Sequence, residues 1–157
     1  MFFPLRFNER DYASRTLAHI ANIENVNVVL VYSEQDLCDL PTNSEEFLIA
    51  NIRNYTSKGY EVALELNDNS LTLSSALYNA FTCFLIDVDE NLKVDNKTSQ
   101  KTLYNFRGLV EKLLRYSKPI IAVDIPSWSS VDLIHRLGIN YVSSAVLAPS
   151  DETVLPI

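Results

Sequence analysis

Six carboxylates stand where short apolar runs give way to polar segments: Glu34, Glu65, Asp68, Asp87, Asp89 and Asp124. Hard divalent cations take carboxylate oxygens as ligands, and two such cations can polarise a phosphate and lower the pKa of an attacking water. A metal-dependent phosphoryl site is the chemistry these residue types could support. Acids are equally at home in ordinary polar loops after strands, and no spacing among these six is diagnostic. Other chemistry-bearing residues are sparse. His19 and His135 lie far apart on helical patterns, without metal-ligand spacing. Cys38 and Cys83 are isolated, with no CxxC, and read as free thiols of a cytosolic protein. No cofactor is expected.

Strands alternating with helices must position these acids. Ile120 to Val123 is a short, wholly apolar run, suited to a strand covered on both faces. Ser127 can cap the next helix, in which Val131, Leu133, Ile134 and Leu137 form one stripe. Gly138 supplies a left-handed stop, and Tyr141 to Leu147 reads as a further strand. Upstream, strands are expected over Phe2 to Phe7, with Pro4 confining it to an edge, and over Asn27 to Tyr32, Tyr60 to Leu66 and Cys83 to Val88. Helices are expected over Glu9 to Ile23, from Asn43 or Ser44 to a stop at Gly59, over Leu71 to Ala80, and over Thr102 to Tyr116. A loop containing Pro41 and an irregular tail after Pro149 complete the reading. This is one α/β domain with a parallel sheet. An open doubly wound sheet and part of a (β/α)₈ barrel both fit, and in either one function gathers at the C-terminal ends of the strands.

The chain has 157 residues, 47% hydrophobic and 21% charged, an ordinary globular composition for about one domain. A formal charge of −7 argues against direct nucleic-acid binding, which requires a basic footprint. No apolar run reaches the roughly 18 residues of a membrane span. The first residues, MFFPLRFNER, have neither the apolar core nor the cleavage site of a signal peptide.

Followed in order, the motifs resemble those of the EAL domain, the cyclic di-GMP phosphodiesterase family. VVLVYSE is similar to the family's "lvlEiTE": Glu34 keeps the final acid, and Val31 stands where a metal-binding Glu belongs. SKGYEVALELNDNS is similar to "alGiriALDDFGTG", with Gly59, Ala63 and Leu64 in agreement, Glu65 and Leu66 on the Asp pair, and NDNS in place of FGTG. FLIDVD sits at "ylKiD" without its lysine. In IAVDIPS, laid on "vAEGVET", Ala122 matches, and Val123 and Pro126 fall on the two Glu positions. Ser143 falls on the Gln of the family's "QG", and PLRFN on the strand "svNlS", with Arg6 or Phe7 at its metal-binding Asn.

The scaffold letters agree and the chemical letters do not. The resemblance implies a single EAL-like domain over residues 1–157, an incomplete or open (β/α) TIM-type barrel with parallel strands. About two βα units, including the EAL signature and its phosphate-binding Arg, would be missing from its front. It implies loss of phosphodiesterase activity, because each lost ligand costs several kcal/mol of ion stabilisation, and about 1.4 kcal/mol is tenfold in affinity. Arg6, Glu34, Glu65, Asp87 and Asp124 would be remnants of the ligand site. The implied function is a catalytically inactive regulator that binds a protein partner, such as a transcription regulator or another signalling protein. A non-hydrolysing cyclic di-GMP receptor is the alternative. A receiver-like phosphorylation domain, suggested by LIDVD and LAPSD, lacks its lysine at Ala148 and its acidic pair. An arc with two open edges and inward residues such as Val29, Val31, Ala63 and Ile121 facing water would need a partner. A homodimer through the open side or the Leu71 to Ala80 helix is expected.

Overall fold

The computed structural model describes residues 2–4, 29–38, 41, 44–67, 72–88, 100–125, 127–143 and 154–156. Within them the apolar runs form strands β1 (Phe2–Pro4), β2 (Val29–Ser33), β3 (Glu61–Leu66), β4 (Cys83–Asp87), β5 (Ile120–Val123), β6 (Tyr141–Ser143) and β7 (Val154–Pro156). The helices are α1 (Glu34–Cys38), α2 (Glu45–Ser57), α3 (Ser75–Ala80), α4 (Gln100–Leu114) and α5 (Trp128–Arg136).

The seven strands form one sheet in strict chain order, β1 to β6 parallel and β7 antiparallel on β6. A doubly wound sheet reverses its strand order at a switch point. This one never does. Alternation along each strand supplies the second criterion. Leu30, Leu64, Phe84, Ile86, Ala122 and Val142 point to the side where Leu48, Tyr78, Phe106, Val110 and Ile134 of the helices complete the main core. The other side gathers Val31, Ala63, Cys83, Leu85 and Ile121, with Val29 and Val123 against them, all strand residues. Among the described residues, helices on one side only and strands in sequence make the arc of a (β/α) barrel, not a doubly wound sheet. Among the described residues the arc does not close.

Helix boundaries follow local chemistry. The left-handed stops are as expected, with φ of 88° at Gly59 and 95° at Gly138. Ser74, extended at ψ 152°, accepts the Leu77 N–H at 3.1 Å, so α3 begins at Ser75 and not at Leu71. Its hydroxyl also donates to the Glu45 carboxylate, tying α3 to the first turn of α2. Ser44 and Ser127 stand at N-cap positions without capping through their hydroxyls, and that of Ser127 lies 3.3 Å from that of Ser130.

Three further expectations are corrected. The chain enters helix α1 directly after β2 instead of a loop, because Ser33 caps it: its Oγ accepts the Asp36 N–H at 3.3 Å and donates to Asp36 Oδ2 at 2.8 Å. The tail contains β7, paired through Ser143 with Val154, Val142 with Leu155 and Tyr141 with Pro156, so β6 is not an edge. Three of the four inward residues are shielded from water, Ala63 fully and Val31 and Ile121 at 9% and 8% exposed, while Val29 is partly exposed as expected. Finally, β6 is assigned over Tyr141–Ser143, and residues 144–147 lie outside the described residues, as do Leu5 to Phe7 and the Glu9 to Ile23 helix.

Candidate functional site

Strand register builds the inward face in layers. Val31, Ala63 and Cys83 lie side by side near its base. Above them run Ser33, Glu65, Leu85, Ile121 and Tyr141, and above those Asp87, Val123 and Ser143. The face is therefore hydrocarbon at its base and centre, with a polar margin of Ser33, Glu65, Asp87 and Ser143 at the C-terminal end. Glu65 and Asp87, both half-buried, are the two expected acids that the sheet brings to one face, on neighbouring strands and offset by one layer.

The other expected site residues go elsewhere. Glu34 is the first residue of α1, 7% exposed, and its Oε2 accepts the backbone N–H of Asn67 at 2.9 Å. It joins the ends of β2 and β3 and does not form a row with Glu65 and Asp87. Asp124 is exposed, with φ of 52°, the left-handed conformation expected where the family motif has Gly. Arg6, Asp68 and Asp89 lie outside the described residues. Leu66 is buried against the helices, on the side opposite to Glu65.

The described residues of this face do not fit a pair of divalent cations. Val31 and Val123 put hydrocarbon on the inward face at two of the motif's acidic positions, and Leu66 turns away from it. Among the described residues, no group of three His, Cys, Asp or Glu side chains could share a metal ion. On β4 the inward residues are Cys83, Leu85 and Asp87, none of them a lysine.

At the opposite end of the sheet, burial pushes the Cys83 thiol up to about 11, while the neighbouring Thr82 hydroxyl and the Lys118 charge pull the other way. The thiol is therefore protonated at neutral pH and a poor nucleophile. Lys118 is shifted down, chiefly by burial, and its ammonium donates to the carbonyls of Asn79 and Phe81 at the end of α3. This is a helix-stopping contact. Sequence reasoning missed the Ser33–Asp36 cap, although an S-x-x-D pattern at residues 33–36 signals one. It also missed the Asn67 amide, which no side-chain pattern marks.

No family model matches the sequence, and no curated protein sequence matches it. The fold is similar to that of solved EAL structures. The PaMucR phosphodiesterase in complex with c-di-GMP has a TM-score of 0.70 at 11% identity, over 99% of this chain and 61% of that one. The EAL enzyme Bd1971 in its cAMP- and cyclic-di-GMP-bound form gives 0.69 at 14% identity, over 94% of this chain and 39% of that one. The EAL-like domain protein YdiV gives 0.55 at 14% identity, over 99% of this chain and 62% of that one. The chain thus spans about two-fifths to three-fifths of these structures. The EAL resemblance of the motifs and the fold agree.

Proposed function

We propose that this chain is a catalytically inactive, EAL-like regulatory domain of cyclic di-GMP signalling, or derived from it, which acts in the cytoplasm by binding a protein. The observation that carries this reading is the inward apolar cluster, in which Val31 and Val123 occupy positions where the family motif places acids. Hydrocarbon there offers no lone pair to a cation and no base to a water. The scaffold around it is kept, down to left-handed Gly59, Gly138 and Asp124. A kept scaffold with lost chemistry suits recognition by surface, with a transcription regulator or another signalling protein as the partner class. The described residues include no helix long and apolar enough to cross a membrane.

A non-hydrolysing nucleotide receptor is the second reading, favoured by the likeness to structures solved with c-di-GMP. Calorimetry with cyclic di-GMP, with and without Mg²⁺ or Mn²⁺, beside a hydrolysis assay, separates the readings. The expected result is no turnover and no measurable heat. Turnover that scales with protein and vanishes in Glu65→Ala overturns the proposal. Micromolar binding without turnover replaces it with the receptor.

A further inference from the structure

Charge is unevenly placed along this chain. From residue 100 to residue 143 it carries six Lys and Arg against three Asp and Glu, a formal +3 within a total of −7. The remaining residues therefore hold −10. Four of the six cations, Lys112, Arg115, Lys118 and Arg136, lie where α4 and α5 end and the chain turns into β5 and β6. The two helix ends touch, since Leu114 Cδ1 lies 3.3 Å from where a Cβ would sit on Gly138. This is the base of the arc, opposite the polar margin.

The fold uses only half of these cations. The Lys112 ammonium sits 5.2 Å over the Tyr78 ring, and Lys118 holds the carbonyls that end α3. Arg115 and Arg136 are exposed and, among the described residues, neither meets a carboxylate. An exposed cation at a helix end offsets the dipole by up to about 1 kcal/mol. Its fork of N–H donors stays open all the same. Beside the two arginines Leu114 is 42% exposed, and Tyr141, three residues beyond Gly138, is 40% exposed. Arg and Tyr around an aliphatic side chain are the residue types of binding hot spots.

We propose that this base is the docking surface for an acidic peptide segment of a protein partner. Its carboxylates would meet Arg115 and Arg136, and its apolar side chains would cover Leu114 and Tyr141. The proposal rests on the protein-binding reading above and gives the partner its chemistry. Clustered arginines recognise carboxylates through paired N–H contacts, which a lysine cannot copy. Nucleic acid and anionic membranes are extended polyanions, and the −10 on the rest of the chain repels them. A short peptide meets only the charges within a Debye length of about 8 Å, where the patch is positive. The exposed hydrocarbon points the same way, because phosphates make no use of it.

Fluorescence polarisation of the full chain with a labelled synthetic peptide of alternating Glu, Leu, Asp and Phe tests the surface. A Kd of roughly 10–100 μM is expected, weakening several-fold between about 50 and 200 mM salt. Arg115→Glu and Arg136→Glu each raise it by about threefold or more, and together by roughly tenfold or more. Lys101→Glu makes the same charge change at the far end of α4 and raises it by less than about twofold. All three side chains are exposed, so unchanged circular dichroism is expected for every variant. No binding up to about 1 mM overturns the proposal, as does a Kd that Lys101→Glu raises as much as the arginine reversals do. Tighter binding to duplex DNA, to phosphatidylglycerol vesicles or to the same peptide with Lys in place of its acids also overturns it. Self-association that the double arginine variant loses gives the surface to a second copy and overturns it too. Turnover in a separate cyclic di-GMP hydrolysis assay would remove the inactive-regulator reading, and it leaves these titrations unchanged.

Discussion

The Glu34 carboxylate accepts the backbone N–H of Asn67 at 2.9 Å, joining the end of β2 to the end of β3 across the mouth of the arc. The acid kept from the family motif therefore holds a loop. A buried hydrogen bond to a charged group contributes about 1.5–3 kcal/mol. Glu34→Ala is expected to lower stability by about 2 kcal/mol in urea unfolding, and Glu34→Gln, which keeps an acceptor, by about half of that. An alanine variant as stable as the wild type would remove this role from Glu34.

Returning an acid to the centre of the arc should not return a metal site. Val31→Glu places a carboxylate among Ala63, Cys83, Leu85 and Ile121. An unpaired buried charge costs several kcal/mol and drives the group to stay protonated. Its folded-state pKa is then above its unfolded one, so the folded form holds more protons and stability falls as pH rises above the unfolded value of about 4.3. The variant should be about 3 kcal/mol or more below wild type at pH 7 and closer to it near pH 4. A rise in melting temperature on adding Mg²⁺ or Mn²⁺ to Val31→Glu alone would show that cations still find the site.

At Asp124 the left-handed backbone sets a different order. Glycine reaches φ of 52° without penalty, a short polar residue tolerates it, and a β-branched side chain resists it. Asp124→Gly is expected to be neutral or up to about 1 kcal/mol more stable, and Asp124→Val about 1–2 kcal/mol less stable. Chemical denaturation of the two variants reads the order. If valine were tolerated as well as glycine, the turn would not be what selects this residue.

The barrel-type alternation of strand and helix was legible because its punctuation is local: Gly59 and Gly138 stop helices wherever they occur, and Ile120–Val123 is apolar whatever its neighbours. What stayed hidden depends on pairing across the sheet. Residues 154–156, VLP, have no pattern of their own and become a strand only because the β6 edge is beside them. In the sequence Glu34 is one more acid at a strand end; its role comes from Ser33 and Asp36, which turn the chain into α1 so that its carboxylate meets the Asn67 N–H. The left-handed backbone at Asp124, with φ of 52°, carries no sign in the apolar pattern around it.

The Cys83 thiol supplies an alkaline signature. A folded-state pKa raised from 9.0 to about 11 means that the folded chain holds a proton that the unfolded chain has released in that interval. Stability from this source is complete below pH 9 and is lost as pH rises towards 11, on the order of 2–3 kcal/mol for a two-unit shift. Lys118, shifted down chiefly by burial, works in the opposite sense as pH approaches its ordinary value, and the thiolate charge partly offsets that shift in the wild type. The stability difference between wild type and Cys83→Ala should therefore move against the wild type between pH 9 and 11. A difference that stays flat across that range would mean that the thiol ionises freely in the folded protein.

Among the described residues the two outermost strands, β1 and β7, are each three residues long and end in Pro4 and Pro156. A ring of strands has no rim, but an arc has two, and each rim is a template on which unfolded or neighbouring chains can assemble into fibrils. Proline carries no N–H to offer such a template, and three residues leave little length to copy. An open arc guarded in this way resists growing end to end through its sheet and can persist as a discrete molecule at high concentration.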